Sequence, residues 1–308
     1  MKPSFTSRLH SEADDSCVRF MINFEDLPGY RWLENGQSAF SGNLLELYRR
    51  LDRLFLNWAA ECNAAEYRFP TFIPARELAR LDYFRSFPHL VTFPVVLDPS
   101  EENLKHFSEG APLDPEGVVQ LAAAAPIRDV LTPAACYHFY IQFQGELLTS
   151  PRYVTTRATC FRREAFYSPL ERQWSFSMRE IVCLGTADEV KQFLRRYQDR
   201  VERFLRRIGL TVEWKNATDP FFNPSRNPKY VLQKLDPVKT EMVYQSGLAI
   251  GSINFHRNYF GEAFQISRES KEAFSGCVAF GVERWIYAIL NQFGLNESQW
   301  PDFDSWEE

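Results

Sequence analysis

The sequence lacks the glycine-rich loops with which the commonest nucleotide-binding folds hold phosphate. Its 308 residues contain no Walker-type loop and no G-x-G-x-x-G pattern placed after a strand. This absence excludes P-loop NTPases and dinucleotide-binding folds of that kind. A nucleotide, if the chain binds one, must be held by another device.

Closely spaced cysteines are also absent. No C-x-x-C pair occurs among the six, which are Cys17, Cys62, Cys136, Cys160, Cys183 and Cys277. In a protein expected in a reducing compartment, this spacing argues against a disulfide framework. Spacing alone leaves open whether each thiol is a buried apolar group or a ligand.

An excess of positive charge and long apolar runs are missing as well. The formal net charge is -5 and the pI is about 5.7, which argues against a protein whose main affinity is for nucleic-acid phosphates. No tRNA-binding domain is therefore expected. Residues 1–20 mix charged side chains without an apolar stretch, which predicts a flexible tail and no signal peptide. No later run approaches the length of a membrane span, so we expect a cytoplasmic enzyme.

Apolar periodicity predicts helices laid outside a run of strands. In the first helix an apolar residue recurs every three or four positions. A Thr186–Glu189 capping box begins the second helix, which ends at Gly209. The predicted helices cover 43–61, 187–208 and 282–293, and the predicted strands cover 67–73, 154–163, 173–184, 210–214, 238–244 and 248–255. Strands in runs indicate an α+β fold with an antiparallel sheet flanked by helices.

An arginine-rich hairpin is the first candidate nucleotide site. The stretches 160–164 (CFRRE) and 172–176 (RQWSF) place Arg162 and Glu164 on one strand, opposite Arg172 and Phe176. The pattern resembles motif 2 of class II aminoacyl-tRNA synthetases, about 154–185 here. The resemblance implies that Arg162 binds the α-phosphate and the acyl oxygen of ATP, Glu164 the adenine amino group and Arg172 the γ-phosphate, while Phe176 stacks on adenine. The alternative is a surface hairpin with solvated arginines.

A second stretch, 275–284 (SGCVAFGVER), precedes an apolar helix and resembles motif 3 of the same family, about 275–293. The resemblance implies that Arg284 covers the adenine from the side opposite Phe176 and touches the γ-phosphate. Ala279 stands where glycine is common. Arg284 could otherwise be a ligand-free residue at a helix N-terminus, a poor place for a cation.

Two further stretches extend the resemblance. Residues 239–241 (KTE) resemble the acidic metal position of the seryl branch, which implies Mg²⁺ on Glu241; an exposed strand carboxylate is the alternative. Residues of about 43–74 resemble motif 1, which implies a homodimer. Residues 21–308 are thus expected to form a single catalytic domain.

The stretches 135–140 (ACYHFY), 178–181 (MREI), 249–256 (AIGSINFH) and 275–277 (SGC) are similar to the amino acid:[carrier protein] ligases. These relatives of atypical zinc-dependent seryl-tRNA synthetases load an amino acid onto the phosphopantetheine arm of a small acidic carrier protein. The resemblance implies Zn²⁺ on Cys136, Glu180 and Cys277, with one position open to the substrate amine. Spacing alone favours buried structural thiols there.

The resemblance leaves the substrate and carrier contacts as expectations. Asp219 and Ser252 are candidates for contacting the amino acid, although an Asx turn before Pro220 explains Asp219 equally well. The segment 224–239 carries an excess of cations, and we expect Arg226, Lys229 and Lys234 to dock the acidic carrier; a solvated helix face is the alternative.

The expected activity is ATP-dependent activation of a small amino acid, glycine or alanine by family resemblance, followed by transfer to the carrier thiol. Two other interpretations stay open. One is a truncated seryl-tRNA synthetase-like enzyme that charges tRNA, and the other is an inactive regulatory paralogue.

Overall fold

The computed structural model describes residues 22–24 and 27–303. The predicted tail, residues 1–20, lies outside the described residues, as does Cys17. A seven-stranded sheet organises the described part.

The strands, in chain order, are β1 Tyr30–Leu33, β2 Gln37–Phe40, β3 Ala65–Tyr67, β4 Phe72–Pro74, β5 Asp129–Leu131, β6 Leu147–Leu148, β7 Arg152–Phe161, β8 Ser175–Gly185, β9 Val212–Ala217, β10 Lys239–Tyr244, β11 Leu248–Arg257, β12 Ser267–Arg268, β13 Lys271–Glu272 and β14 Phe274–Gly281. The α-helices are α1 Gly42–Ala60, α2 Ala75–Arg80, α3 Tyr83–Ser86, α4 Glu101–Glu109, α5 Tyr137–Gln142, α6 Ala187–Ile208, α7 Pro228–Leu235, α8 Tyr259–Phe264 and α9 Val282–Phe293. The strand order of the seven-stranded sheet is β3-β7-β8-β14-β11-β10-β9. All neighbouring pairs in this sheet are antiparallel except β3–β7, which is parallel. This α+β arrangement confirms the predicted fold class.

Helix α6 covers one face of the sheet, and its ends are those that the sequence predicts. The Thr186 hydroxyl accepts a hydrogen bond from the Glu189 amide, the Glu189 carboxylate accepts one from the Thr186 amide, and Gly209 ends the helix with a φ of 70°. This capping box satisfies two backbone N–H groups that have no partner within the helix. Long apolar side chains of α6 pack on the strands, so the helix shields that face from water.

Side chains alternate between the two faces along β14. Val278 and Phe280 belong to the core under α6, whereas Cys277 and Ala279 face the other side. A Cβ on Gly276 would lie 2.8 Å from Val190 and 3.0 Å from Leu194 of α6. Gly276 thus allows the helix to approach the strand, while Ala279 is the small residue on the opposite face.

The stretch resembling motif 1 differs from its expected form. Helix α1 is nearly as predicted, but the single extended segment expected at 67–73 divides into β3, which joins the edge of the main sheet, and β4, which pairs with β5. Phe69 and Pro70 lie between the two strands. Pro70 has no N–H group, so it interrupts a strand ladder and favours this break.

No helix in the described part of the chain combines the length and the apolar content that crossing a membrane requires.

Candidate active site

A cavity of about 430 Å³ opens on the face of the sheet opposite α6. Strands β8, β10, β11 and β14 form its floor, and one side of α7 and the N-terminus of α9 border it. Every candidate nucleotide, metal and substrate residue lines this one cavity: Arg162, Glu164, Arg172, Phe176, Glu241, Arg284, Cys136, Glu180, Cys277, Asp219 and Ser252. Residues separated by more than a hundred positions in the chain therefore share a single site.

Arg162 and Phe176 contact each other in the wall of the cavity. The Arg162 guanidinium carbon lies 5.2 Å from the centre of the Phe176 ring, and its Nε donates to the Pro133 carbonyl at 2.9 Å. The pairing follows from the register of β7 and β8, in which Phe161 is opposite Ser175 and the Arg162 amide continues the ladder to Trp174. A backbone carbonyl and an aromatic face thus hold the charged group in place.

Arg284 is fixed by two backbone carbonyls. Its Nε donates to Glu171 at 2.7 Å and its Nη1 donates to Ala249 at 2.8 Å. The nearby Arg172 donates to the Glu164 carboxylate at 2.6 Å. Both arginines are therefore preorganised, which favours binding of an anion because little side-chain entropy is then lost.

The guanidinium groups are close enough to perturb one another. Burial, followed by repulsion from Arg162 and Arg172, lowers the pKa of Arg284 to about 10. Arg284 stays protonated at neutral pH even so. Three cations of like charge on one partly desolvated wall are an unfavourable arrangement that a polyanion would relieve.

The predicted zinc ligands form a buried triad. One donor atom each from Cys136, Glu180 and Cys277 lie within 4.8 Å of one another, and among the described residues they are the one group found with this property. Glu180 Oε1 accepts a hydrogen bond from the Ala135 amide at 3.0 Å, whereas its Oε2 is buried without a hydrogen-bond partner. An unpaired buried carboxylate oxygen beside two thiols fits a metal ion, because a third donor is left free to bind it.

The electrostatics of the triad agree with this fit. A hydrogen bond with the Cys277 thiol, burial and the nearby Glu180 together raise the pKa of Cys136 well above its usual range. All three donors can therefore be deprotonated together only when a cation shares the site. Asn254 donates to the Cys277 sulfur at 3.3 Å and orients it, as outer groups do for metal ligands.

A row of polar contacts lines the β10–β11 side of the cavity. Lys239 Nζ lies 3.4 Å from Asp219 Oδ1 and 3.1 Å from Glu241 Oε1. Ser252 faces Glu241 across the β10–β11 ladder and accepts a hydrogen bond from Asn254 at 3.0 Å. Burial raises the pKa of Asp219, but Lys239 and Gln233 outweigh it and hold the pKa below its ordinary value. Asp219 is therefore a carboxylate at neutral pH.

The three candidate docking cations differ in exposure. Arg226 and Lys234 are exposed, whereas Lys229 is half-buried and lies 3.3 Å from Asp82 Oδ2 and 3.2 Å from the Tyr259 hydroxyl. Lys229 also lines the cavity. Its contacts attach α7 to the body of the protein.

Comparison with known proteins identifies the family. The model for the tRNA synthetase class II core domain (G, H, P, S and T) matches residues 128–293. An amino acid–[acyl-carrier-protein] ligase 1 of Bradyrhizobium diazoefficiens is 33% identical over 249 residues, covering 78% of this chain and 75% of that protein. The chain belongs to the amino acid–[acyl-carrier-protein] ligases. A second ligase of the same organism is 32% identical over 253 residues and covers 78% of this chain.

More distant relatives share the fold of this ligase. A type-2 serine–tRNA ligase of Methanococcus maripaludis is 25% identical over 89% of this chain, which spans 57% of that protein. Among solved structures, M. kandleri SerRS in complex with A. aeolicus tRNASec has a TM-score of 0.77 at 19% identity and covers 95% of this chain and 61% of its own. Giardia lamblia prolyl-tRNA synthetase, solved with prolyl-adenylate, has a TM-score of 0.61 at 14% identity and covers 84% of this chain and 48% of its own. Both confirm a class II core.

Two residues that the sequence did not single out also belong to the site of this ligase. Glu283 is buried and both its carboxylate oxygens lie 2.9 Å from the Ser177 amide, which joins the start of α9 to β8 beside Phe176. Gln233 of α7 contacts Asp219. Glu283 could have been found from the sequence, because it directly precedes Arg284 in the stretch that resembles motif 3. Nothing in the sequence distinguishes Gln233 from an ordinary surface glutamine.

Proposed function

We propose that this ligase activates a small amino acid with ATP and transfers it to the phosphopantetheine thiol of an acidic carrier protein. One observation carries the proposal: three arginines and a Cys–Glu–Cys triad line the same cavity. The arginines suit a nucleoside triphosphate, and the triad suits a zinc ion that binds the substrate amine. Membership of the carrier-protein ligases supports the choice of acceptor.

The nucleotide is assigned to the part of the cavity wall that carries the three arginines. Phe176 and Arg284 line the cavity, and we assign them to the two sides of the adenine. Arg162 is assigned to the α-phosphate and Arg172 to the γ-phosphate, since both are held in position before ligand arrives. Glu164 would accept a hydrogen bond from the adenine amino group while it keeps its contact with Arg172.

The amino acid is assigned to the part of the cavity beside the Cys–Glu–Cys triad. Cys136, Glu180 and Cys277 would hold zinc, which supplies a Lewis-acidic position for the neutral α-amino group. Asp219 and Ser252 are assigned to contact the substrate from the β10–β11 side of the cavity. Mg²⁺ on Glu241 would neutralise charge on the ATP phosphates, in exchange for the present contact with Lys239.

The chemistry is two displacements that need positioning more than proton transfer. The substrate carboxylate attacks the ATP α-phosphorus, the bond to pyrophosphate breaks, and Arg162 stabilises charge on the α-phosphate. The carrier thiol then loses its proton to solvent and attacks the adenylate carbonyl as a thiolate. The bond between the carbonyl carbon and the phosphate oxygen breaks, so that a thioester forms and AMP leaves. Arg284, with its two carbonyl contacts, keeps the nucleotide in line during both steps.

Amino-acid-dependent exchange between ATP and pyrophosphate tests the first step. We expect exchange with one or a few small amino acids, loss of exchange after zinc is chelated, and a decrease of roughly a hundredfold or more in Arg162→Ala. Thioester formation on a phosphopantetheinylated carrier tests the second step. A chain that acylates tRNA and not the carrier would overturn the choice of acceptor, and a chain without any exchange would overturn the proposal.

The carrier is assigned to α7 and the turn before it. Arg226 and Lys234 are exposed there, and Val231 and Leu235 add exposed apolar area beside them. Cations around an apolar patch suit an acidic helical partner, because opposite charge speeds the encounter. Charge reversal in Lys234→Glu should lower the rate of carrier loading and leave exchange unchanged. Arg195→Glu, on the exposed side of α6 at the other face of the sheet, is the matched control.

Several features expected from the sequence remain predictions for this ligase. They are a single catalytic domain over 21–308 with no tRNA-binding domain, a cytoplasmic location and a homodimer formed through the α1–β4 region. Phe72 of β4 is 49% exposed, which gives that region an apolar group for a second subunit to cover. Sedimentation of the purified chain measures the oligomeric state directly.

A further inference from the structure

Gln233 makes a reciprocal pair of hydrogen bonds with Asp219. The Gln233 Nε2 donates to Asp219 Oδ2 at 2.9 Å, and the Asp219 amide donates to Gln233 Oε1 at 2.9 Å. One side chain thus holds both the backbone and the carboxylate of Asp219. A glutamine amide can form this pair because it carries a donor and an acceptor at its end.

The other restraint on Asp219 is Lys239. Its ammonium lies 3.4 Å from Asp219 Oδ1, and the same ammonium lies 3.1 Å from Glu241. The carboxylate is therefore held from two sides, by a neutral donor at Oδ2 and a cation at Oδ1. Each oxygen has two lone pairs, so the carboxylate can still accept a bond from a substrate in the cavity.

Helix α7 depends on such polar contacts for its place. None of its residues is buried, and Leu232 and Leu235 are 57% and 78% exposed. Besides the Gln233–Asp219 pair, the contacts of Lys229 with Asp82 and Tyr259 hold the helix to the body. The ring of Tyr230 also lies 6.5 Å from the buried Phe221, so α7 has few apolar contacts and the Gln233–Asp219 pair contributes both to its position and to the orientation of Asp219.

We propose that Gln233 is a positioning residue for the amino-acid substrate, which holds the Asp219 carboxylate in the orientation that receives the substrate amine. The inference rests on the proposed function. Without Gln233, the carboxylate is free to turn fully toward Lys239, its existing ion-pair partner, and it then no longer faces the amine. The arginines assigned to ATP are held by other residues, so the KM for ATP should change little.

The test measures KM values for the amino acid and for ATP in the exchange assay, with Gln233→Ala and Gln233→Glu. Gln233→Ala removes both hydrogen bonds, whereas Gln233→Glu keeps the acceptor and places a negative charge against Asp219. We expect both variants to raise the KM for the amino acid about tenfold, the loss that one hydrogen bond to a charged group implies, with the KM for ATP within about twofold of the parent. Gln192→Ala, an exposed glutamine of α6, is the matched control and should change neither value.

Two results would overturn the inference. One is an unchanged KM for the amino acid in both variants. The other is a rise of both KM values together with a lower melting temperature, which indicates general damage to the fold. A parent enzyme without amino-acid-dependent exchange would instead show that the proposed function is wrong, so the two failures are distinguishable.

Discussion

Replacing Glu283 with glutamine tests whether a buried carboxyl weakens the fold at neutral pH. Glu283 is 6% exposed, and both its oxygens lie 2.9 Å from the Ser177 amide. Burial raises the pKa of Glu283 from its model-peptide value of 4.5 to about 7. Over that interval the folded chain keeps a proton that the unfolded chain has lost.

The sign of the effect follows from this difference in bound protons. The contribution of Glu283 to stability is fully present below about pH 4.5 and is lost as the pH rises through about 7. A pKa difference of about 2.5 corresponds to roughly 3 kcal/mol in the free energy of unfolding. Glutamine cannot ionise, and it still offers an oxygen to the Ser177 amide. The stability of Glu283→Gln relative to the parent should therefore rise by about 2 to 3 kcal/mol between about pH 5 and about pH 8.

Urea unfolding of both proteins at several pH values in that range gives the free energies. The control is Glu272→Gln, since Glu272 is exposed on β13 and its replacement should leave a small difference at every pH. A stability difference for Glu283→Gln that does not change with pH, or that falls as the pH rises, would refute the reasoning. Such a result would mean that the Ser177 amide and the α9 N-terminus offset burial.

Three further changes have predicted outcomes. Asp52→Ala removes two hydrogen bonds, at 2.8 and 3.1 Å, from the buried Arg179 guanidinium. Urea unfolding should therefore show a free energy of unfolding lower by about 3 kcal/mol. A stability equal to that of the parent would mean that Glu66 alone satisfies Arg179. Gly276→Ala places a Cβ 2.9 Å from the Asn254 carbonyl as well as against α6, and calorimetry should show a lower melting temperature for a loss of about 1 to 3 kcal/mol. Metal analysis should find about one zinc per chain and far less in Cys277→Ser, whereas equal zinc in both would exclude the triad as its site.

The sequence predicts well those parts of the fold that local patterns determine. The bounds of α6 follow from a capping box and a terminal glycine, and the strands on either side of 162–174 follow from alternation of bulky and polar residues. The triad is different, because its members come from α5's N-terminus, β8 and β14 and no spacing rule joins them. Family resemblance brought those three residues together, and the register of the sheet explains why they meet.

Other features depend on contacts that a linear pattern does not record. The β1–β2 hairpin was not predicted, since its strands are only four residues long and carry mixed polarity. The hydrogen bond between Gln233 and Asp219 joins residues fourteen positions apart, one in α7 and one in the loop that follows β9. Lys239, grouped by composition with the docking cations, lies inside the cavity between two carboxylates. Charge counting along the chain cannot tell a lysine that lines a cavity from one on the outer surface.

The alternation along β14 makes that strand intolerant of a change in length. Cys277 and Ala279 point into the cavity while Gly276 and Val278 point toward α6, and Ala279 is paired with Glu180 on β8. Deleting one residue before Cys277 would turn its thiol toward the apolar core under α6 and turn Val278 toward the cavity. This follows because side chains alternate between the two faces of a strand. The eight residues of β14 thus serve both the core and the active site. A substitution can change one face of the strand alone, whereas an insertion or deletion changes both faces.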